Sequence, residues 1–63
     1  MLKEVERLQV GDVVSFRGSG AARYRVRRVE VDGQDVRLHL SSHGLELDAR
    51  YCTGELARLH EVV

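Results

Sequence analysis

The stretch Tyr24-Arg25-Val26-Arg27-Arg28-Val29-Glu30-Val31-Asp32-Gly33-Gln34-Asp35-Val36-Arg37-Leu38-His39-Leu40 decides the fold. Val29 and Val31, then Val36, Leu38 and Leu40, are apolar at every second position on either side of Asp32-Gly33-Gln34-Asp35. That period suits a half-buried strand and not a helix, and Asp-Gly is a strong turn signal, so the stretch predicts a β-hairpin. Within its first strand the apolar parity changes, from Tyr24 and Val26 to Val29 and Val31. One extra residue around Arg27-Arg28, a β-bulge or sharp bend, restores a continuous inner face.

A register follows. With Val31 opposite Val36, Val29 faces Leu38, while outside Glu30 faces Arg37 and Arg28 faces His39. A third strand is expected across Ser41-Ser42-His43-Gly44, with Leu40 opposite Leu45, Leu38 opposite Leu47 and Val36 opposite Ala49. Outside, this sets Arg37 against Asp48 and His39 against Glu46. Apolar residues then meet apolar residues, and each outer opposite-charge pair contributes on the order of 0.2–1 kcal/mol.

Upstream, Leu2, Val5 and Leu8 recur every third residue, as in a single helical turn or an irregular lead-in over residues 1–9. Val10-Gly11-Asp12 reads as a turn into a strand from Val13 to Arg17, and Gly18-Ser19-Gly20 as a flexible loop. Beyond Tyr51 the alternation stops at Cys52-Thr53-Gly54-Glu55; Leu56 and Leu59 have the spacing of a short 3₁₀ turn, and Glu61-Val62-Val63 can form a last short strand. The expected core is Val14, Phe16, Tyr24, Val26, Val29, Val31, Val36, Leu38, Leu40, Leu45, Leu47, Ala49, Leu56 and Leu59.

The 63 residues make one domain near the lower limit for folding without disulfides, metal or partner. A single cysteine, Cys52, excludes an internal disulfide. No apolar run has the length of a membrane span, and the charged start Met1-Leu2-Lys3-Glu4-Val5-Glu6 is unlike a signal peptide, so a soluble cytoplasmic protein is expected. Ten basic and ten acidic residues cancel overall. They are unevenly placed: residues 1–28 hold seven basic and three acidic residues, and residues 29–63 hold three and seven.

Five short strands, one of them long and bent near the middle, with a 3₁₀ turn before the last, give the order of an SH3-like barrel over residues 10–63. The segment Val10-Gly11-Asp12-Val13-Val14-Ser15-Phe16, then Tyr24-Arg25-Val26-Arg27-Arg28-Val29 and Asp32-Gly33, resembles SH3-like small barrels of the KOW and Tudor-like kind. Among these are short stand-alone bacterial proteins that begin with a V-G-D-V-V segment. Gly20-Ala21-Ala22-Arg23-Tyr24 also resembles the Tudor-like domain that contacts RNA polymerase in some bacterial transcription factors. Either resemblance implies a binding module and names no partner.

Catalytic chemistry is not indicated. Ser41, Ser42, His43 and Asp48 have the residue types of a nucleophilic triad, but they fall in or beside a hairpin turn and not in a buried, oriented site. Cys52 with His39, His43 and His60 fits no common zinc spacing. The Gly18-Ser19-Gly20 loop precedes a strand, not the helix N-terminus that a phosphate cradle needs. No metal, cofactor or small-molecule substrate is therefore expected.

The arginines carry the functional expectation. Arg17, Arg23 and Arg25 lack an acidic partner in the expected register, and the Gly18 to Ala22 loop is expected to bring them near one another at one end of the barrel; Arg27 and Arg28 are added as candidate binding residues. Guanidinium groups grouped in this way bind phosphates or meet carboxylates of a protein partner. Single-strand nucleic-acid binding adds exposed aromatics, whereas Phe16, Tyr24 and Tyr51 all have core parity. The expectation is a non-enzymatic interaction module that binds a protein partner or itself. The alternative is a nucleic-acid-associated regulator that uses the arginines on phosphates.

Overall fold

In the computed structural model, which describes residues 1–18, 20 and 22–60, the chain is all-β. Six antiparallel strands form one sheet: β1 (Leu2–Glu4), β2 (Val13–Ser15), β3 (Tyr24–Asp32), β4 (Asp35–Ser42), β5 (Leu45–Cys52) and β6 (Leu56–His60). Their spatial order is β1-β6-β2-β3-β4-β5. No helix is long and apolar enough to cross a membrane among the described residues.

The β3–β4 hairpin has the expected pairing, Val31 opposite Val36, Val29 opposite Leu38, Glu30 opposite Arg37 and Arg28 opposite His39. The register shifts between Val26 and Arg28, which leaves Arg27 as the extra residue of a bulge. This bulge resolves the parity conflict, because both Val26 and Leu38 can then face one interior. Val26, Val36, Leu38 and Leu40 are fully buried. Burying side chains of this size contributes about 1.5–3 kcal/mol each.

The β4–β5 register differs from expectation by two residues. Ser42, not Leu40, lies opposite Leu45, and the connection is His43-Gly44 alone. His43 (φ 50°) and Gly44 (φ 79°) both take positive φ, as a type I′ turn requires, and its twist matches that of the strands. Arg37 consequently faces Arg50 instead of Asp48, and His39 faces Asp48 instead of Glu46. A shift of two preserves which side chains face inward. Leu40 now meets Leu47, Leu38 meets Ala49, and Val36 meets Tyr51.

The two ends of the chain depart further. The first residues supply a strand, β1, and then a single 3₁₀ turn at Val5–Arg7. Its threefold repeat buries Val5 and, just beyond, Leu8. The 3₁₀ turn expected at Leu56–Leu59 is instead strand β6, which pairs with both β1 and β2. Ala57 is buried and Leu59 half-buried there, so the inward period is two, while Leu56 faces solvent. The strand expected at Glu61-Val62-Val63 lies outside the described residues.

Six strands thus replace the expected five. Among the described residues no pairing joins β1 to β5, and the sheet is open by hydrogen bonding. It is nonetheless strongly curled. Phe16, just past β2, stacks on Tyr51 of β5 with ring centroids 4.7 Å apart, although β3 and β4 lie between those strands in the sheet. The Glu6 carboxylate accepts the Gly54 N–H at 3.0 and 3.2 Å and pins the 3₁₀ turn to the β5–β6 turn. Val31, Leu45, Leu47 and Leu56, expected inside, are exposed because they lie at hairpin ends, on an edge strand or on the outer face.

Leu38→Ala should lower unfolding free energy by about 2–5 kcal/mol, and Val31→Thr, at a half-exposed hairpin end, by less than about 0.5 kcal/mol. Urea unfolding of the two variants checks this ordering.

Candidate functional site

Alternation along β6 assigns its side chains to two faces. Ala57 and Leu59 turn inward, so Leu56, Arg58 and His60 turn outward. Leu2 of β1 and Ser15 of β2 both stand opposite Arg58 and share that outer face. Leu2 and Leu56 are each more than half exposed on this face.

A groove of about 850 Å³ starts on this face and runs to the end of the curled sheet, where Phe16 and Tyr51 form an aromatic wall. Arg17, Arg23 and Arg58 supply its positive charge. Glu55 is the one carboxylate among the described lining residues, and it accepts the Cys52 N–H at 2.5 Å. The groove is therefore apolar along its walls and cationic at its rim.

Phe16 contacts both tyrosine rings: Tyr51, nearly parallel to it at 13°, and Tyr24, whose ring centroid is 6.2 Å away. Both ring separations fall in the attractive range for aromatic pairs. Burial, followed by the nearby Glu55 charge and Tyr24, raises the Tyr51 phenol above its ordinary 10.0, so it remains a hydrogen-bond donor at neutral pH. The inward parity read from the sequence describes half the situation: these rings pack against the core, yet Phe16 and Tyr51 also line the groove.

Ser15 and His60 form a polar pair inside the groove, with Ser15 Oγ 2.9 Å from His60 Nε2. Loss of hydration, then Arg23, Arg58 and the N-terminal amine, lowers the His60 pKa below 6.5. The imidazole is neutral at pH 7 and can meet the Ser15 hydroxyl as donor or acceptor.

Of the five candidate arginines, Arg17, Arg23 and Arg25 lie near one another, Arg25 sharing through Val13 the outer face of His60, whereas Arg27 and Arg28 lie elsewhere. Arg17 and Arg23 line the groove. Arg25 borders, with Arg23, a separate shallow depression near Ser41, Ser42 and His43. Arg27 occupies the bulge, and Arg28 lies on the outer face of the meander, 2.7 Å from Glu30. Arg58 and His60 were missed because the Leu56–Leu59 spacing suggests a 3₁₀ turn; the Ala57–Leu59 alternation was the available signal, weak because alanine scarcely registers in an apolar pattern.

The triad residue types are not assembled. The Ser42 hydroxyl donates to the Arg23 carbonyl at 3.0 Å, and Asp48 is held by His39 Nδ1 at 2.5 Å. Among the described residues no group of three His, Cys, Asp or Glu side chains comes together to hold a metal.

Folding lowers the His60 pKa, so the unfolded chain binds a proton first as pH falls. The stability carried by neutral His60 is complete above 6.5 and is lost as pH drops through its lower folded value. Thermal melts of the native chain and His60→Gln at stepwise lower pH should show a shallower decline for the variant just below 6.5. Comparison with known proteins gives no match, whether to a family model, a curated protein or a solved structure.

Proposed function

We propose that this chain is a non-enzymatic binding module, an SH3-like small barrel of the KOW and Tudor-like kind. Its groove takes a segment of a partner protein that carries acidic and apolar side chains. The observation that supports this reading is the co-location of Arg17, Arg23 and Arg58 with Phe16, Tyr51, Leu2 and Leu56 in one open groove. Apolar side chains of the segment lie against the aromatic wall and the two leucines. Its carboxylates meet the guanidinium groups, where charge-assisted, bidentate hydrogen bonds give orientation.

Support for the barrel comes from the strand order β6-β2-β3-β4-β5 within the sheet, the bulge that bends β3 and the ring contact between β2 and β5 ends. Support for a binding role over a hydrolase built on Ser42 and His43 comes from Ser42 and Asp48, which are engaged with the Arg23 carbonyl and with His39 and do not converge. A cytoplasmic setting suits the single exposed thiol, Cys52.

Phosphate binding by a single-stranded nucleic acid is the second reading, favoured by the same three arginines. A base-stacking platform needs an exposed ring face. Here Phe16 is already stacked on Tyr51, with Tyr24 also in ring contact, and Arg28 is already paired with Glu30. These two facts favour protein over nucleic acid.

Two probes separate the readings in titrations followed by amide chemical shifts: a peptide alternating glutamate and leucine, and an oligothymidylate. The peptide should shift Arg17, Tyr51, Leu56 and His60 amides, and an Arg23→Glu, Arg58→Glu variant should bind it at least about tenfold more weakly. Oligothymidylate binding with a log–log salt slope of about −2, the value for three neutralised phosphates on a single strand, together with no peptide response, would transfer the function to nucleic acid.

A further inference from the structure

Strand β5 is an open edge of the sheet, eight residues long and paired on one side only. The opposite edge, β1, has three residues. The Thr53 N–H donates to the Gln34 carbonyl at 2.9 Å, and hydrogen-bonded positions alternate along an antiparallel pair. Odd-numbered β5 residues therefore bond to β4, while Glu46, Asp48, Arg50 and Cys52 turn their backbone groups to the open side. The Cys52 N–H, met by the Glu55 carboxylate and not by β4, agrees with this assignment.

Edge strands are normally protected by proline, lysine, a bulge or shortness. The chain has no proline, β5 contains no lysine, and its register with β4 runs unbroken from Leu45 to Cys52. What it does carry is a self-complementary charge pattern. We propose that β5 pairs antiparallel with β5 of a second copy of this chain about a two-fold axis at Ala49.

In that register Asp48 lies opposite Arg50 of the second copy, and Arg50 opposite its Asp48. On the other face Leu47, exposed in the single chain, lies opposite Tyr51. Moving the axis to Asp48 sets Glu46 against Arg50 but Asp48 against Asp48, and moving it to Arg50 sets Arg50 against Arg50, so only the axis at Ala49 pairs opposite charges with no like-charge pair. The pairing also answers a local conflict. Arg50 stands opposite Arg37 within its own sheet, and its contact with Asp35 is long, 3.5 Å. A carboxylate on the open side gives it a second counter-charge. A two-fold contact of this kind closes on itself, since each copy uses the same strand.

Sedimentation of the full chain over a concentration series tests this inference, with Asp48→Arg, Arg50→Glu and the double reversal Asp48→Arg, Arg50→Glu. The native chain should dimerise, and either single reversal should weaken dimerisation about tenfold, because symmetry places each substitution in the contact twice. The double reversal should restore it. The native His39–Asp48 and Asp35–Arg50 contacts stay broken in the double variant, so recovery reports the pair between copies. Both side chains are largely exposed, 81% and 66%, and circular dichroism verifies that the variants fold. A native chain that sediments as a monomer throughout, or a double variant that stays as weak as the singles, overturns the proposal. Amide exchange at Asp48 and Arg50 should slow with concentration; rates independent of concentration overturn it equally.

Discussion

The structure depends on burying one short row of side chains, Val26, Val36, Leu38 and Leu40, in a chain too small to build a second layer. A 63-residue domain has little apolar surface to remove from water, and a flat sheet would leave one face of that row wet. The sheet must curl until its own strands cover it. The bulge at Arg27 makes the curl possible by bending β3 and switching its parity. Val5, Leu8 and Ala57 then close over the same interior from the chain's two ends. The stacked rings of Phe16 and Tyr51 bring together strands that hydrogen bonds do not join.

This accounts for which parts of the fold were legible in the sequence. Val29 to Leu40 was, because a turn with Asp-Gly, strict alternation and opposite charges across the outer face all select one pairing. The next turn was legible only in parity. His43-Gly44 lacks the asparagine or aspartate that usually announces a two-residue type I′ turn, although histidine is enriched among residues that adopt positive φ. With the turn read as four residues, the pairing moved by two, and charge favoured that register, because it sets Arg37 against Asp48 where the structure sets it against Arg50, while His39 finds an acid in either. The chain ends were least legible. A three-residue strand has too little pattern to see, and the threefold spacings at Leu2–Leu8 and Leu56–Leu59 pointed to helical turns of which only Val5–Arg7 exists.

The candidate site was hidden for a related reason. Its cations come from three places in the sequence, the end of β2, the residue before β3 and the middle of β6. Proximity in sequence favoured the run Arg23, Arg25, Arg27 and Arg28, and alternation alone would put Arg23, Arg25 and Arg27 on one face, yet the bulge takes Arg27 and Arg28 out of that row. Arg17 and Arg23 line one groove, and Arg58 joins them through pairing of β6 with β2. Inner-face parity for Phe16 and Tyr51 was right and insufficient: at the end of a curled sheet an inward ring is also a rim.

Tyr51 connects the two surfaces of the molecule. Its side chain belongs to the groove, where it stacks on Phe16, whereas its backbone, as an odd-numbered position of β5, is bonded to β4 and leaves the open edge to its even-numbered neighbours. Groove and edge therefore draw on different backbone groups of one strand and do not compete for hydrogen bonds, while in the proposed pairing the Tyr51 side chain borders both. Alternation, which set the fold in the β3–β4 hairpin, also separates these surfaces: side chains of one parity hold the interior and shape the rim, and residues of the other parity present charge and free backbone to a neighbour.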